Sequence, residues 1–462
     1  MIADSSTPAE LDKVDPAWAW ATYQPDGERP WNREFAAHLW RRAAFAPNDK
    51  QLRHAVDVGP AETLNLLLQG DPASESFYEQ TRSTVGPLLA SGNMENLPAW
   101  WLYSMLHSPH PLREKMTLFW HGHFATSAAK VTKVELMYRQ NALQRKHALG
   151  RFGPLLRESA KDPAMLLWLD SATNHKLRPN ENFAREVMEL FSLGIGNYQE
   201  RDIKEAARAF TGWEVRRDQF LFNAPQHDPG KMTVLGQTGQ FDGDQVIDIL
   251  LAQPATGRFL VRKLFRYFVS DTAEPGNALV DPLARGLREH EYDIAWLLRQ
   301  ILGSNLFYSL HAVRQKVKSP IDLAIGLLRS LEGTVNLYSL AEDLRNLGHG
   351  VFFPPNVKGW DGGLEWINSA SLLSRANLVW ALVSGADGRY KKKVPLTMLA
   401  ERQGPDAARV ARGFADLLLA APVPDEVLVQ LTTVAADKSG DDHRRLARLV
   451  QAIATLPEYQ LL

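Results

Sequence analysis

Residues 179–196, PNENFAREVMELFSLGIG, hold the start, body and end of one helix in a single window. Pro179 stands near the first turn, where a missing N–H costs nothing, and Glu181 lays negative charge on the positive end of the helix dipole. Gly194 is placed to end the helix. Phe183, Val187, Leu190 and Phe191 recur at helical spacing on a face expected to be buried, while Asn182, Glu186 and Glu189 gather on the other. Such strong period-3.6 patterning, repeated along the chain, predicts a mainly α-helical protein.

Working outward, NREFAAHLWRRAAF gives an early helix capped by Asn32, and amphipathic runs follow near 60–69, 97–107, 112–121, 131–148 and 162–169. A second helix is expected near 200–210. Residues 214–236 alternate around Asp228-Pro229-Gly230, which predicts one β-hairpin turning at that tripeptide. Helical periodicity returns over 242–268 and 279–347, a Gly- and Pro-rich loop occupies 348–363, and a helix spans about 364–383. These readings predict a large multi-helix domain over 32–383 with one β-hairpin insertion. Around it lie an extended arm at 1–31, a linker at 384–394 and a helical C-terminal extension at 395–462.

The 462 residues include 45% hydrophobic and 23% charged side chains, which suits a globular chain with a substantial core. Lys and Arg total 52 against 53 Asp and Glu, so no overall field draws nucleic acid or an anionic membrane. Absence of Cys excludes disulfides, thiolate nucleophiles, iron–sulfur clusters and thiolate-bound zinc, so any divalent metal must be held by His and carboxylates. Thirteen Trp supply either core mass or flat platforms for a ligand. The first twenty residues lack the basic start and apolar run of a secretory signal, and no apolar stretch reaches a membrane span, so the expected location is cytoplasmic, unless a leader has been removed.

Four segments in order, FWHGHFATS (119–127), PNENFAREVMELFSLGIGNY (179–198), AARAFTGW (206–213) and FFPPNVKGWDGGLEWI (352–367), resemble the bacterial domain-of-unknown-function family numbered eighteen hundred. HLWRRAAF, HDPGKMTVLG and GRFLVRKLFRYFV add to the resemblance, which covers about residues 32–383. It implies a fold but no reaction, cofactor or catalytic residue. The frequent genomic neighbourhood of such proteins with sulfatase-like proteins implies a possible partner of that kind, or a saccharide context.

Several clusters carry chemistry. His121 and His123 have the HxH spacing of metal ligands, but on a continuous helix they stand about 200° apart, so a shared ion requires Gly122 to break the helix. The alternative is that both rings satisfy buried polar groups. Glu186 and Glu189 offer ligands or a general base, unless Arg185 pairs with Glu181 or Glu189. Asp170, near Asn174, Asn180 and Glu181, offers a further oxygen ligand for a hard cation, although Asn and Asp also populate loops for turn and capping reasons alone. His227 beside Asp228 is expected at the hairpin tip, placed to close over a pocket. His349, Lys358, Trp360 and Asp361, with Trp366, put indole faces beside polar groups as a ligand-binding loop would, although the same loop suits a rigid plug. HExxH, GxSxG, GxxxxGK, GxGxxG and Glu-x-x-His are all missing. Two readings remain: a metal-dependent enzyme of unassigned reaction, using His121, His123 and Asp170 with Glu186, Glu189 or His227 as catalytic groups; or a non-catalytic binding or assembly protein that works through the Trp360 loop.

Overall fold

In a computed structural model, residues 11–390, 394–419, 422–437 and 439–462 are described, and they are mainly α-helical with two small two-stranded antiparallel sheets. Local sequence explains the helix starts. Asn32 accepts from the Phe35 N–H at the head of Arg33–Ala44, Asp162 caps Pro163–Trp168, and Ser319 with Asp322 forms a capping box on Pro320–Ser330. Among the described residues no helix is long and apolar enough to cross a membrane.

The helix expected over 180–194 contains an insertion. Glu181–Glu186 is α-helical, capped by Asn180, but Val187–Ser192 widens into a π-turn. The Leu193 N–H reaches back five residues to the Met188 carbonyl, and the Ser192 hydroxyl to that of Val187. Such turns recur at functional sites because they re-aim side chains within a helix.

The β insertion differs from the expected single hairpin turning at Asp228-Pro229-Gly230. Trp213–Arg216 pairs with Gln219–Phe222 across a turn at Arg217 and Asp218, whose φ values are 51° and 62°. A second pair, Met232–Val234 with Gln237–Gly239, turns at Leu235 and Gly236. Positive φ at both central residues gives the twist that tight hairpins require, normally signalled by Asn-Gly. Here tertiary contacts hold the first turn: Lys133 pairs with Asp218 at 2.5 Å and Arg139 donates to its carbonyl. Asp228 lies in the link between the two hairpins.

Two large apolar clusters, with a small one at Ala36, Ala37, Leu52 and Ala55, form the interior. The larger gathers helices from the first two-thirds of the chain. The second joins Asn96–His107 and Pro320–Ser330 to Ser369–Ser384 and the helices Ala407–Leu418 and Asp442–Ala454. The segment expected as an extension is tied to the rest by buried guanidiniums. Arg41 donates to the carbonyls of Leu417 and Leu419, and Arg375 to the Gln460 side chain and the Lys318 carbonyl. Of the expected arm, residues 1–10 lie outside the described residues. The remainder rests on the body, where the Tyr23 N–H meets the Gly303 carbonyl and the Trp20 indole meets that of Leu279. Residues 391–393 of the expected linker also lie outside the described residues.

Candidate ligand-binding site

The helix Pro111–His123 runs through Gly122 without a break, so the two histidines leave it on different sides. His121 Nε2 accepts the Phe352 N–H at 2.9 Å. His123 Nε2 lies 3.1 Å from the Phe191 carbonyl, which can only accept, so that nitrogen carries the proton and Nδ1 accepts from Lys263 at 3.2 Å. Burial holds His121 down at about 3, and burial with the nearby Lys263 charge holds His123 well below the ordinary imidazole range. Both rings are therefore neutral struts, one holding the 352 loop and the other the π-turn. Their bonds point to separate neighbours, and among the described residues no three His, Asp or Glu side chains stand together as a metal set.

The other expected residues disperse. Asp170 has φ 58° and pairs with Lys130 at 2.6 Å on the surface, while Asn180 caps its helix and Asn174 accepts the Asn180 N–H. Arg185 forms a two-pronged pair with Glu200 at 2.8 Å rather than with Glu181 or Glu189. Glu189 accepts the Tyr198 hydroxyl. Half-buried Glu186 is pushed above the usual carboxylate range by burial and then by Glu189, against the pull of Arg185 and Lys358. His227 Nδ1 donates to the Thr211 carbonyl at 3.0 Å, and Asp228 pairs with Arg208 at 2.7 Å, fixing the inter-hairpin link to the Glu200–Ala209 helix.

By contrast, His349, Lys358, Trp360, Asp361 and Trp366 all border one cavity of about 190 Å³. Glycine chemistry seats their loop. Gly359 has φ 83°, and a Cβ there would stand under 3.0 Å from the Gly122 carbonyl oxygen, so two backbones touch where the loop crosses the helix. Trp360 then lies over Gly122 and beside His121, whose ring centroid is 5.7 Å away. His349 is 5% exposed, stacks on Trp366 at 4.8 Å and meets Trp360 at 4.9 Å. Burial lowers it to about 3, so it too is neutral.

Side chains from distant segments complete the cavity: Lys115 and Phe119 on Pro111–His123, Lys263, Arg266 and Tyr267 on Pro254–Phe268, and Asp271, Lys316 and Asp322 beyond. Two buried ion pairs, Lys115–Asp322 and Lys316–Asp271, form part of its lining. Burial pushes the Lys316 ammonium down to about 8 even against the Asp271 charge. Lys263 is also pushed down to about 8, first by burial and then by Arg266. Among the described residues Lys263, Arg266 and Lys358 have no carboxylate within 4.0 Å, and neither has Asp361 any cation. The sequence marked GRFLVRKLFRYFV as a motif, yet its periodicity does not separate Lys263, flanked by buried Leu260, Val261 and Leu264, from an ordinary surface lysine.

A family model described as Protein of unknown function (DUF1800) matches residues 38–461. The chain belongs to this family. The DUF1800 match runs well past residue 383, so it takes in the C-terminal helices that carry none of the motifs quoted above. Every cavity-lining residue, from Lys115 to Trp366, falls within it. No curated protein and no solved structure matches the chain.

Proposed function

We propose that this DUF1800 protein binds a small organic anion in the cavity beneath the Trp360 loop. One observation carries the reading: five cationic side chains and three carboxylates line the cavity, and two of those carboxylates are already neutralised by Lys115 and Lys316. Half-buried Lys263 and the more exposed Arg266 and Lys358 border a largely apolar space and form no ion pair among the described residues, Asp361 being the one lining carboxylate left unpaired. Burial strips hydration from Lys263, and an entering carboxylate, sulfate or phosphate restores the balance through charge-assisted hydrogen bonds to it and to the exposed Arg266 and Lys358. Neutral His123 supports this role, since its Nδ1 accepts from Lys263 and steadies the ammonium without adding charge.

The geometry favours this over the metal-dependent reading, because His121 and His123 each spend ring nitrogens on protein partners. The test is thermal stabilisation by sulfate and phosphate at constant ionic strength, compared with chloride. The wild-type protein is expected to melt higher with the oxyanions. Lys263→Met or Lys358→Met should weaken binding by roughly tenfold to a hundredfold, the worth of one charge-assisted hydrogen bond. Equal melting in all three salts, or unchanged affinity in both variants, rejects the proposal.

A further inference from the structure

Resting on the anion reading, we infer that the ligand's body is a planar unsaturated ring, so that the class bound is an aromatic carboxylate or a close relative, not a saccharide. The argument comes from what the cavity offers besides charge. Phe119, Tyr267, Trp360 and Trp366 supply ring surface around one small volume, and His123 and His349 beside them are neutral. Aromatic groups prefer offset-stacked or edge-on partners, which a flat ring provides and a puckered one does not.

A saccharide needs something different. Each hydroxyl both donates and accepts, so sugar sites present acceptors as freely as donors. Among the described residues no Asn, Gln or Glu lines the cavity. Asp322 accepts from Lys115 and the Ser319 hydroxyl, and Asp271 from Lys316 and the Val317 N–H. Asp361 is the one lining carboxylate among the described residues without such a partner. The uncommitted polar groups are three cations, the buried Trp360 Nε1 and His349 Nδ1, and the single carboxylate of Asp361, a set richer in donors than in acceptors and so better suited to one anionic substituent than to a ring of hydroxyls.

The experiment titrates the wild-type 462-residue chain with benzoate, cyclohexanecarboxylate, glucuronate and sulfate by calorimetry at one ionic strength. Benzoate and cyclohexanecarboxylate share charge and approximate size, and the saturated ring is the more hydrophobic, so a preference for benzoate isolates ring stacking. Benzoate is expected to bind roughly threefold to tenfold more tightly, the worth of an aromatic pair, with the preference lost in Trp360→Leu. Cyclohexanecarboxylate binding as tightly, or glucuronate binding tightest, overturns the inference while sulfate binding still upholds the anion site. Failure of all four anions removes both. The wild-type series alone decides the matter if Trp360→Leu does not fold.

Discussion

Replacing Gly359 with Ala should cost far more than replacing Gly122, although the two glycines touch. At Gly359 the φ of 83° places an L-residue in the left-handed region, at a cost of about 1–2 kcal/mol. Its new methyl would also meet the Gly122 carbonyl at under 3.0 Å, and backbone cannot rotate away as a side chain would. Relieving that overlap means lifting the loop from the helix, for which overpacking costs of about 1–3 kcal/mol are the guide. Together these give a destabilisation of roughly 2–5 kcal/mol. A Cβ at Gly122 meets only a Trp360 ring carbon at 3.9 Å, which is ordinary contact. Gly122→Ala should therefore be neutral or gain up to about 1 kcal/mol from helix propensity. Urea unfolding followed by circular dichroism and tryptophan emission measures both, and Gly359→Ala should also lose oxyanion stabilisation. A Gly359→Ala loss below about 0.5 kcal/mol, or a Gly122→Ala loss above about 2 kcal/mol, would refute the loop-on-helix account.

Three other expectations follow from buried charge. Asp162, pushed up by burial to about 7, binds its proton more tightly folded than unfolded, so its contribution is fully present below about pH 4 and lost as pH rises through 7. Asp162→Asn keeps an oxygen for the Met165 N–H and should flatten that decline, gaining at most about 4 kcal/mol at pH 8 by chemical denaturation across pH. Breaking the buried Lys115–Asp322 pair with Asp322→Asn strands an ammonium and should cost about 3–5 kcal/mol in urea, whereas an exposed pair such as Lys130–Asp170 should cost less than about 1 kcal/mol. Because burial holds Lys263 down at about 8, a bound anion raises it, so binding at pH 8 should draw protons from the buffer, read as a calorimetric heat that varies with buffer ionisation enthalpy.

The helical class and most helix positions were legible because amphipathic spacing and caps are local; Asn32, Asp162 and Ser319 do what their residue types advertise. The π-turn at Val187–Ser192 was not, since one inserted residue shifts the ladder without breaking the apolar pattern. The single turn expected at Asp228-Pro229-Gly230 gave way to two hairpins for a related reason: Arg217-Asp218 lacks the Gly that marks a tight hairpin turn, and Lys133 and Arg139, from far upstream, hold it. His121 and His123 showed their spacing but not their partners, which lie at Phe352, Phe191 and Lys263. The 348–363 loop did announce a cluster, and the structure brings His349, Lys358, Trp360 and Asp361 to one cavity. What no window could reveal is the set of basic side chains that the loop meets, because Lys115, Lys263 and Lys316 come from three separate stretches of chain and two of them are paired with Asp322 and Asp271.

The most direct measurement is an anomalous difference map from crystals soaked in selenate, whose selenium marks an oxyanion by position. The account predicts a peak in the cavity within hydrogen-bond reach of Lys263 or Lys358, lost in a Lys263→Met/Lys358→Met crystal. Selenium peaks confined to the outer surface, with the cavity empty at concentrations that raise the melting temperature, would contradict it.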